Sequence, residues 1–234
     1  MRAQCVLQLV KMSISHLDAL SLRQTLARAG VLPVVHLPSA DCAVPLCEAL
    51  LAAGCPAVEI TLRTDAGLAA LPLVRAAFPD LLLGAGTVRT PADLRRAVDA
   101  GAQFLVSPHT NPELIKLALA LGVPPVPGAC TPTEIDRAVR AGAGIVKFFP
   151  AEVMGGAAAV AAVGGPFPDI PLLPTGGVSP ANLAGYLSLP NVVACGGSWL
   201  ASRELLADGR FDTVTVRTKE ALAIAAGARA LVPR

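Results

Sequence analysis

From Val31 onward the chain alternates short apolar runs with longer stretches of helical spacing. The apolar runs are Val31–Leu37, Ala57–Leu62, Leu81–Thr87, Phe104–Pro108, Val123–Gly128, Ile145–Pro150, Pro171–Gly176 and Val192–Gly197. Short runs of this kind, bounded by Gly and Pro, read as buried strands. Between them the pattern predicts helices over Asp41–Ala53, Asp65–Ala77, Pro91–Ala100 and Asn111–Leu121. Thr131–Ala141, Gly155–Val163, Pro180–Leu187 and Trp199–Ala207 complete the set. A further helix, Ser15–Ala29, precedes them and is closed by Gly30 at a C-cap position, and another begins near Thr213. Eight strands alternating with eight helices predict an α/β fold, a (β/α)8 TIM barrel with an additional N-terminal helix, in a single domain over residues 1–234. An open doubly wound sheet would need fewer strands or a Gly-x-Gly-x-x-Gly fingerprint after its first strand, where Pro38-Ser39-Ala40-Asp41 stands instead. Pro108, Pro127, Pro150 and Pro174 are expected at strand ends, where a missing N–H costs no ladder bond.

Composition sharpens this picture. Hydrophobic residues make up 53% and charged residues 15%, and the excess lies in Ala, Val and Leu, which suits a parallel sheet covered on both faces. No apolar run approaches the roughly 20 residues of a membrane span, so no membrane association is expected. A net charge of +2, scattered arginines and 3% aromatics speak against a nucleic-acid partner. Six cysteines without CxxC spacing read as buried free thiols in a reducing cytoplasm. The apolar stretch Cys5–Val10 is cut short by Lys11, too early for a signal-peptide core. Met12 is an alternative start, and Leu231-Val232-Pro233-Arg234 matches a common protease-tag site and is left out of the fold reasoning.

In a barrel, chemistry gathers at the C-terminal ends of the strands. Lys147 is one of four lysines, and it alone lies inside an apolar strand, between Val146 and Phe148. A period of two puts Lys147 and Phe149 on one face and Phe148 on the other. An ammonium aimed into a low-dielectric interior is disfavoured by desolvation, which leaves more free amine to attack a keto group. The residues alone leave a second reading open, a lysine neutralised by a buried carboxylate. Glu59, Thr61 and Arg63 alternate on one strand face. Glu59 can shuttle protons and Arg63 can clamp a substrate carboxylate bidentately, or the three charges simply fill the lumen. Gly176-Gly177 and Gly196-Gly197-Ser198 end the last two strands, where barrels often bind phosphate through backbone N–H groups. At Gly196 a side chain would obstruct the oxyanion, and a positive φ is a further candidate reason for glycine. His36 and His109 have no metal-ligand spacing, and no metal is expected. Cys195, beside the last loop, reads as packing.

Taken together, Val-Glu59-Ile-Thr-Leu-Arg63-Thr, Gly84-Ala-Gly-Thr87-Val, Val146-Lys147-Phe-Phe149-Pro-Ala151-Glu, Pro174-Thr-Gly-Gly177-Val-Ser-Pro and Gly196-Gly-Ser198-Trp-Leu resemble the 2-keto-3-deoxy-6-phosphogluconate / 4-hydroxy-2-oxoglutarate aldolase family. The match is collinear from about Val31 to Ile224, and the Lys-Phe-Phe-Pro block is its most specific part. The resemblance implies a class I aldolase without cofactor, with a pyruvate Schiff base on Lys147 and Glu59 as general acid/base. It also implies Arg63, Thr87 and Thr175 around the pyruvate carboxylate, and Pro108 and Phe149 lining the site. Gly176, Gly177, Gly196, Gly197 and Ser198 would hold the phosphate. A homotrimer and a place in the Entner–Doudoroff pathway follow from the same resemblance. Pro38-Ser39 and His109-Thr110 depart from the pattern, in loops that can shape acceptor preference. Other substrates within the family are the phosphogalactonate epimer and 4-hydroxy-2-oxoglutarate. Outside it, a barrel phosphosugar epimerase or isomerase would keep the phosphate loops without Lys147, and a non-catalytic trimeric scaffold would need none of these residues.

Overall fold

The computed structural model describes residues 17–230. Ser15 and His16 of the first predicted helix, Cys5, Lys11, Met12 and the Leu231–Arg234 tetrapeptide lie outside the described residues. The fold is α/β, a curled parallel sheet of six strands with ten α-helices among the described residues. The strands are β1 (Val31–Val35), β2 (Ala57–Thr61), β3 (Leu82–Gly86), β4 (Phe104–Val106), β5 (Pro125–Val126) and β8 (Cys195–Gly197), hydrogen-bonded in the order β5-β4-β3-β2-β1-β8. A second, two-stranded sheet pairs β6 (Gly128–Ala129) with β7 (Lys147–Phe148).

Prolines account for where this differs from eight continuous strands. The run Val123–Gly128 divides into β5 and β6 at Pro127, which has no N–H to donate. Its carbonyl still accepts from Lys147 N at 2.9 Å, so β7 keeps its register. The run Pro171–Gly176 forms no continuous strand; it bridges Val146 to Leu172, Leu172 to Val192 and Thr175 to Gly196, and Leu173 N and Thr175 N still donate to Val146 O and Phe148 O, both at 2.9 Å. Pro171 and Pro174 remove donors at every third position there, while the Pro174 carbonyl accepts from Gly196 N at 2.8 Å.

Most helices begin where side-chain chemistry dictates. Asp18 caps the first, Ala19–Ala29, and Gly30 ends it in the left-handed region at φ 72°. Thr131 and Glu134 form a reciprocal capping box at Pro132–Arg140. Asp65–Ala77 and Pro180–Leu187 fall on the predicted bounds. The predicted helix Asp41–Ala53 splits into a 3-10 turn, Ala40–Cys42, and a helix, Ala43–Ala52. Trp199–Ala207 likewise divides at Ser202, into a 3-10 turn over Trp199–Ala201 and a short helix over Arg203–Ala207. The last helix is Phe211–Ala230. No helix among the described residues is long and apolar enough to cross a membrane.

One hydrophobic cluster draws on all eight apolar runs, through residues such as Leu32, Ala57, Leu82, Phe104, Val126 and Ile145. Leu173 and Val193 complete it, and Leu22 and Leu26 of the first helix pack against them. Two further clusters join the outer faces of the strands to the helices. Among the described cysteines, Cys47, Cys55 and Cys195 are buried thiols, whereas Cys42 and Cys130 are half-buried, contrary to the uniform burial expected.

The bend at Pro127 depends on glycine at the next position. A Cβ on Gly128 would strike the Pro108 carbonyl group, and Thr110 Oγ1 donates to the Gly128 carbonyl at 2.9 Å from the same neighbouring loop. Gly128→Ala should therefore destabilise the fold by about 1–3 kcal/mol, the cost of overpacking against a backbone that must shift. Urea denaturation checks this, and an unchanged midpoint would contradict the packing described.

Candidate active site

Alternation along β7 and Phe149 decides which side chains face inward. Lys147 N donates to Pro127 O, Phe148 N to Leu173 O at 3.1 Å, and Phe149 N to Ala129 O at 3.1 Å. The strand is thus gripped from both sides, and the Phe148 ring goes into the outer core. Lys147 and Phe149 turn to the opposite face, with the Lys147 Nζ 5.1 Å from the Phe149 ring centroid, within cation–π range.

Glu59 approaches from β2. Its register partners are Val34 on β1 and Gly84 on β3, so it lies in the middle of the larger sheet. The carboxylate is fully buried, and its Oε1 lies 3.6 Å from Lys147 Nζ, whose side chain is 8% exposed. Neither carboxylate oxygen has a hydrogen-bond partner among the described residues. Gly86 makes room for this arrangement, since a Cβ there would collide with the Glu59 carboxylate. Thr87, which follows, sits at φ 61°, a strained conformation for a β-branched residue.

Above this pair opens a cavity of about 250 Å³. Arg63, Lys147, Phe149 and Thr175 line it, together with Gly176, Gly177, Gly196 and Ser198. Eight of the twelve residues singled out from the sequence are therefore brought to one place. Glu59 lies beneath the floor, and Thr87, Pro108 and Gly197 stand outside the walls. Gly197 packs against the Trp199 indole, where no side chain would fit.

The two glycine pairs serve different geometries. Gly176 and Gly177 have φ of 98° and 80° and turn the backbone away from the preceding run. Gly196 has no positive φ, contrary to the candidate reason given for it, and its glycine is required by contact with the Thr175 side chain. Behind Gly177, the Tyr186 hydroxyl donates to Glu152, whose own N–H donates to the Gly176 carbonyl at 3.0 Å.

Seven lining residues have no place among the sequence-derived site candidates, and two of them, His36 and Arg203, carry titratable or charged groups. His36 follows β1 and shares a face with Val34, another wall residue, so alternation past the strand end would have found it. Burial, and then the charges of Arg203 and Arg63, push the His36 pKa below its usual value. Arg203 lies beyond the last glycine loop and carries no periodic signal. Among the described residues no three His, Cys, Asp or Glu side chains converge as metal ligands do.

A family model described as KDPG and KHG aldolase matches residues 22–217. The chain belongs to this family. It is 43% identical over 201 residues to the 2-dehydro-3-deoxy-phosphogluconate aldolase of Treponema pallidum, covering 86% of this chain and 96% of that one. A Legionella pneumophila KDPG aldolase with pyruvate captured as a covalent carbinolamine superposes with a TM-score of 0.82 at 36% identity, covering 89% and 98% of the two chains. The Zymomonas mobilis ZM4 enzyme with 3-phosphoglycerate gives a TM-score of 0.82 at 32% identity, with 92% and 100% coverage.

The buried pair makes a stability prediction for this family member. Removing one partner leaves the other an uncompensated buried charge, at a cost of about 3–5 kcal/mol, whereas replacing both by apolar groups costs much less. In urea denaturation, Glu59→Leu and Lys147→Met should each destabilise, and the double variant should lose clearly less than the sum. Additive losses would mean that the two groups do not interact.

Proposed function

We propose that the protein is a class I aldolase that cleaves 2-keto-3-deoxy-6-phosphogluconate to pyruvate and glyceraldehyde 3-phosphate through an imine on Lys147. The observation that carries this reading is the Lys147 amine on the cavity floor, 3.6 Å from a buried Glu59 carboxylate. A proton passed from Nζ to Glu59 turns two buried charges into a free amine and a carboxylic acid. The amine adds to the C2 carbonyl, Glu59 returns the proton to the departing hydroxyl, and water leaves as the imine forms. Glu59 then takes the C4 hydroxyl proton as the C3–C4 bond breaks. The bonding electrons move into the protonated imine and give an enamine, while glyceraldehyde 3-phosphate departs. Protonation of C3 and hydrolysis release pyruvate and the free lysine. The imine nitrogen is the electron sink, so no metal is assigned a role.

Arg63 and Thr175 on the wall, with Thr87 beside them, are assigned to the pyruvate carboxylate, and Phe149 and Pro108 to the substrate chain. The glycine loops at 176–177 and 196–197, with Ser198, are assigned to the phosphate. We further read the fold as one closed (β/α)8-barrel domain. The bridges at Leu172 and Thr175, the pairing of β6 with β7 and the single residue between β5 and β6 support closure. A cytoplasmic homotrimer serving the Entner–Doudoroff pathway completes the proposal.

The test is pyruvate release from the phosphorylated substrate, followed by coupled lactate dehydrogenase in the presence of EDTA. The wild-type protein should turn over, with the gluconate epimer preferred to the galactonate epimer and to 4-hydroxy-2-oxoglutarate. Glu59→Gln keeps the size and removes the titrating proton, so kcat should fall by about two to four orders of magnitude. No release by the wild-type protein would overturn the reading, and full turnover by Glu59→Gln would remove the carboxylate from the mechanism.

A further inference from the structure

The cavity has an uneven charge. Arg63, Lys147 and Arg203 line it, and no Asp or Glu does. Glu59 lies within ion-pair distance of Lys147, so two guanidiniums are left facing the space. Neither forms an ion pair among the described residues, and Glu204, which feels the field of Arg203, does not reach it as a partner. Both guanidiniums also act on His36, a wall residue whose buried Nε2 has no hydrogen-bond partner among the described residues. Arg203 is itself one of the residues that line the cavity, although it is exposed.

The expected substrate has charge at both ends, a carboxylate beside the keto group and a terminal phosphate of about −2. Arg63 lies in the turn two residues beyond the end of β2, the strand that carries Glu59, which puts it at the reacting end. Arg203 follows Ser198 and the 196–197 loop, at the other end of the proposed substrate path. Backbone N–H groups and a serine hydroxyl supply partial charge to a phosphate, whereas a guanidinium supplies a full charge in a fork that matches phosphate oxygens.

We propose that Arg203 is a specificity-determining residue, a side-chain clamp that closes on the terminal phosphate opposite the glycine loops and selects phosphorylated over unphosphorylated keto-deoxy acids. This rests on the aldolase reading above. Arg203 contributes to capture of the substrate and not to the bond-breaking step, so its loss appears in KM. Because the residue is exposed, its contribution is screened by salt on the scale of the Debye length, about 8 Å at physiological ionic strength and 3 Å at 1 M.

The experiment compares wild-type, Arg203→Gln and Arg203→Lys proteins on 2-keto-3-deoxy-6-phosphogluconate and on the same acid without phosphate. Arg203→Gln should raise KM for the phosphorylated acid by about tenfold or more, the scale of one hydrogen bond to a charged group. Its kcat should stay within a factor of about two, and its KM for the unphosphorylated acid should not move. Arg203→Lys should recover part of the loss, and the gap between wild-type and Arg203→Gln should narrow in 0.5–1 M sodium chloride, about the regime of strong screening. An unchanged KM for the phosphorylated acid, or an equal rise for both acids, overturns the clamp. Either result leaves the aldolase reading intact as long as the wild-type protein cleaves, whereas a wild-type protein that cleaves neither acid overturns that reading itself.

Discussion

A lysine and a glutamate that share a water-poor space, 3.6 Å apart, are the constraint around which this molecule is arranged. Burying either charge alone would cost several kcal/mol, and the pair is tolerated only because each neutralises the other. Holding them together requires that β2 and β7, which do not pair with each other, be fixed relative to one another. Hydrogen bonds from both sides of the Lys147–Phe149 segment do this for the lysine. The central position of Glu59 between β1 and β3 does it for the carboxylate. Gly86 and the strained Thr87 next to it show how closely the neighbouring strand has been fitted to that carboxylate.

The rest of the cavity follows from this placement. With Glu59 below the floor and engaged with Lys147, the walls carry positive charge without a compensating acid. Such a space suits a ligand with anionic groups at both ends. The loops that close it are set by packing as much as by chemistry. Gly176 and Gly177 turn the chain, Gly196 admits the Thr175 side chain, and Gly197 admits the Trp199 ring. The Tyr186–Glu152 contact supports the first loop from behind.

Much of this was legible in the sequence, because two periods carry most of the information. A period of two put Lys147 and Phe149 on one face and Phe148 on the other, and the same rule aligned Glu59 with Thr61, whereas Arg63 lies in the turn beyond the strand end. Helical spacing bounded by Thr, Asn, Ser and Pro gave Asp65–Ala77 and Pro180–Leu187 to the residue. Prolines blurred the remainder. Pro127 and Pro174 fall within apolar runs and not at strand ends as expected, and their missing donors interrupt the ladder there, although Leu172, Leu173 and Thr175 still donate to neighbouring segments. Arg203 was invisible for a different reason. Its helix is one short turn behind a 3-10 segment, and no repeat reports which way an exposed arginine leans.

The covalent role of Lys147 is the central claim, and one measurement reaches it directly. The wild-type protein is incubated with pyruvate, reduced with borohydride, digested and examined by mass spectrometry. A reduced three-carbon adduct on the peptide that contains Lys147, and on no other, is the expected result. An adduct on Lys116 or Lys219, or no adduct from a protein that releases pyruvate from its substrate, would contradict the account.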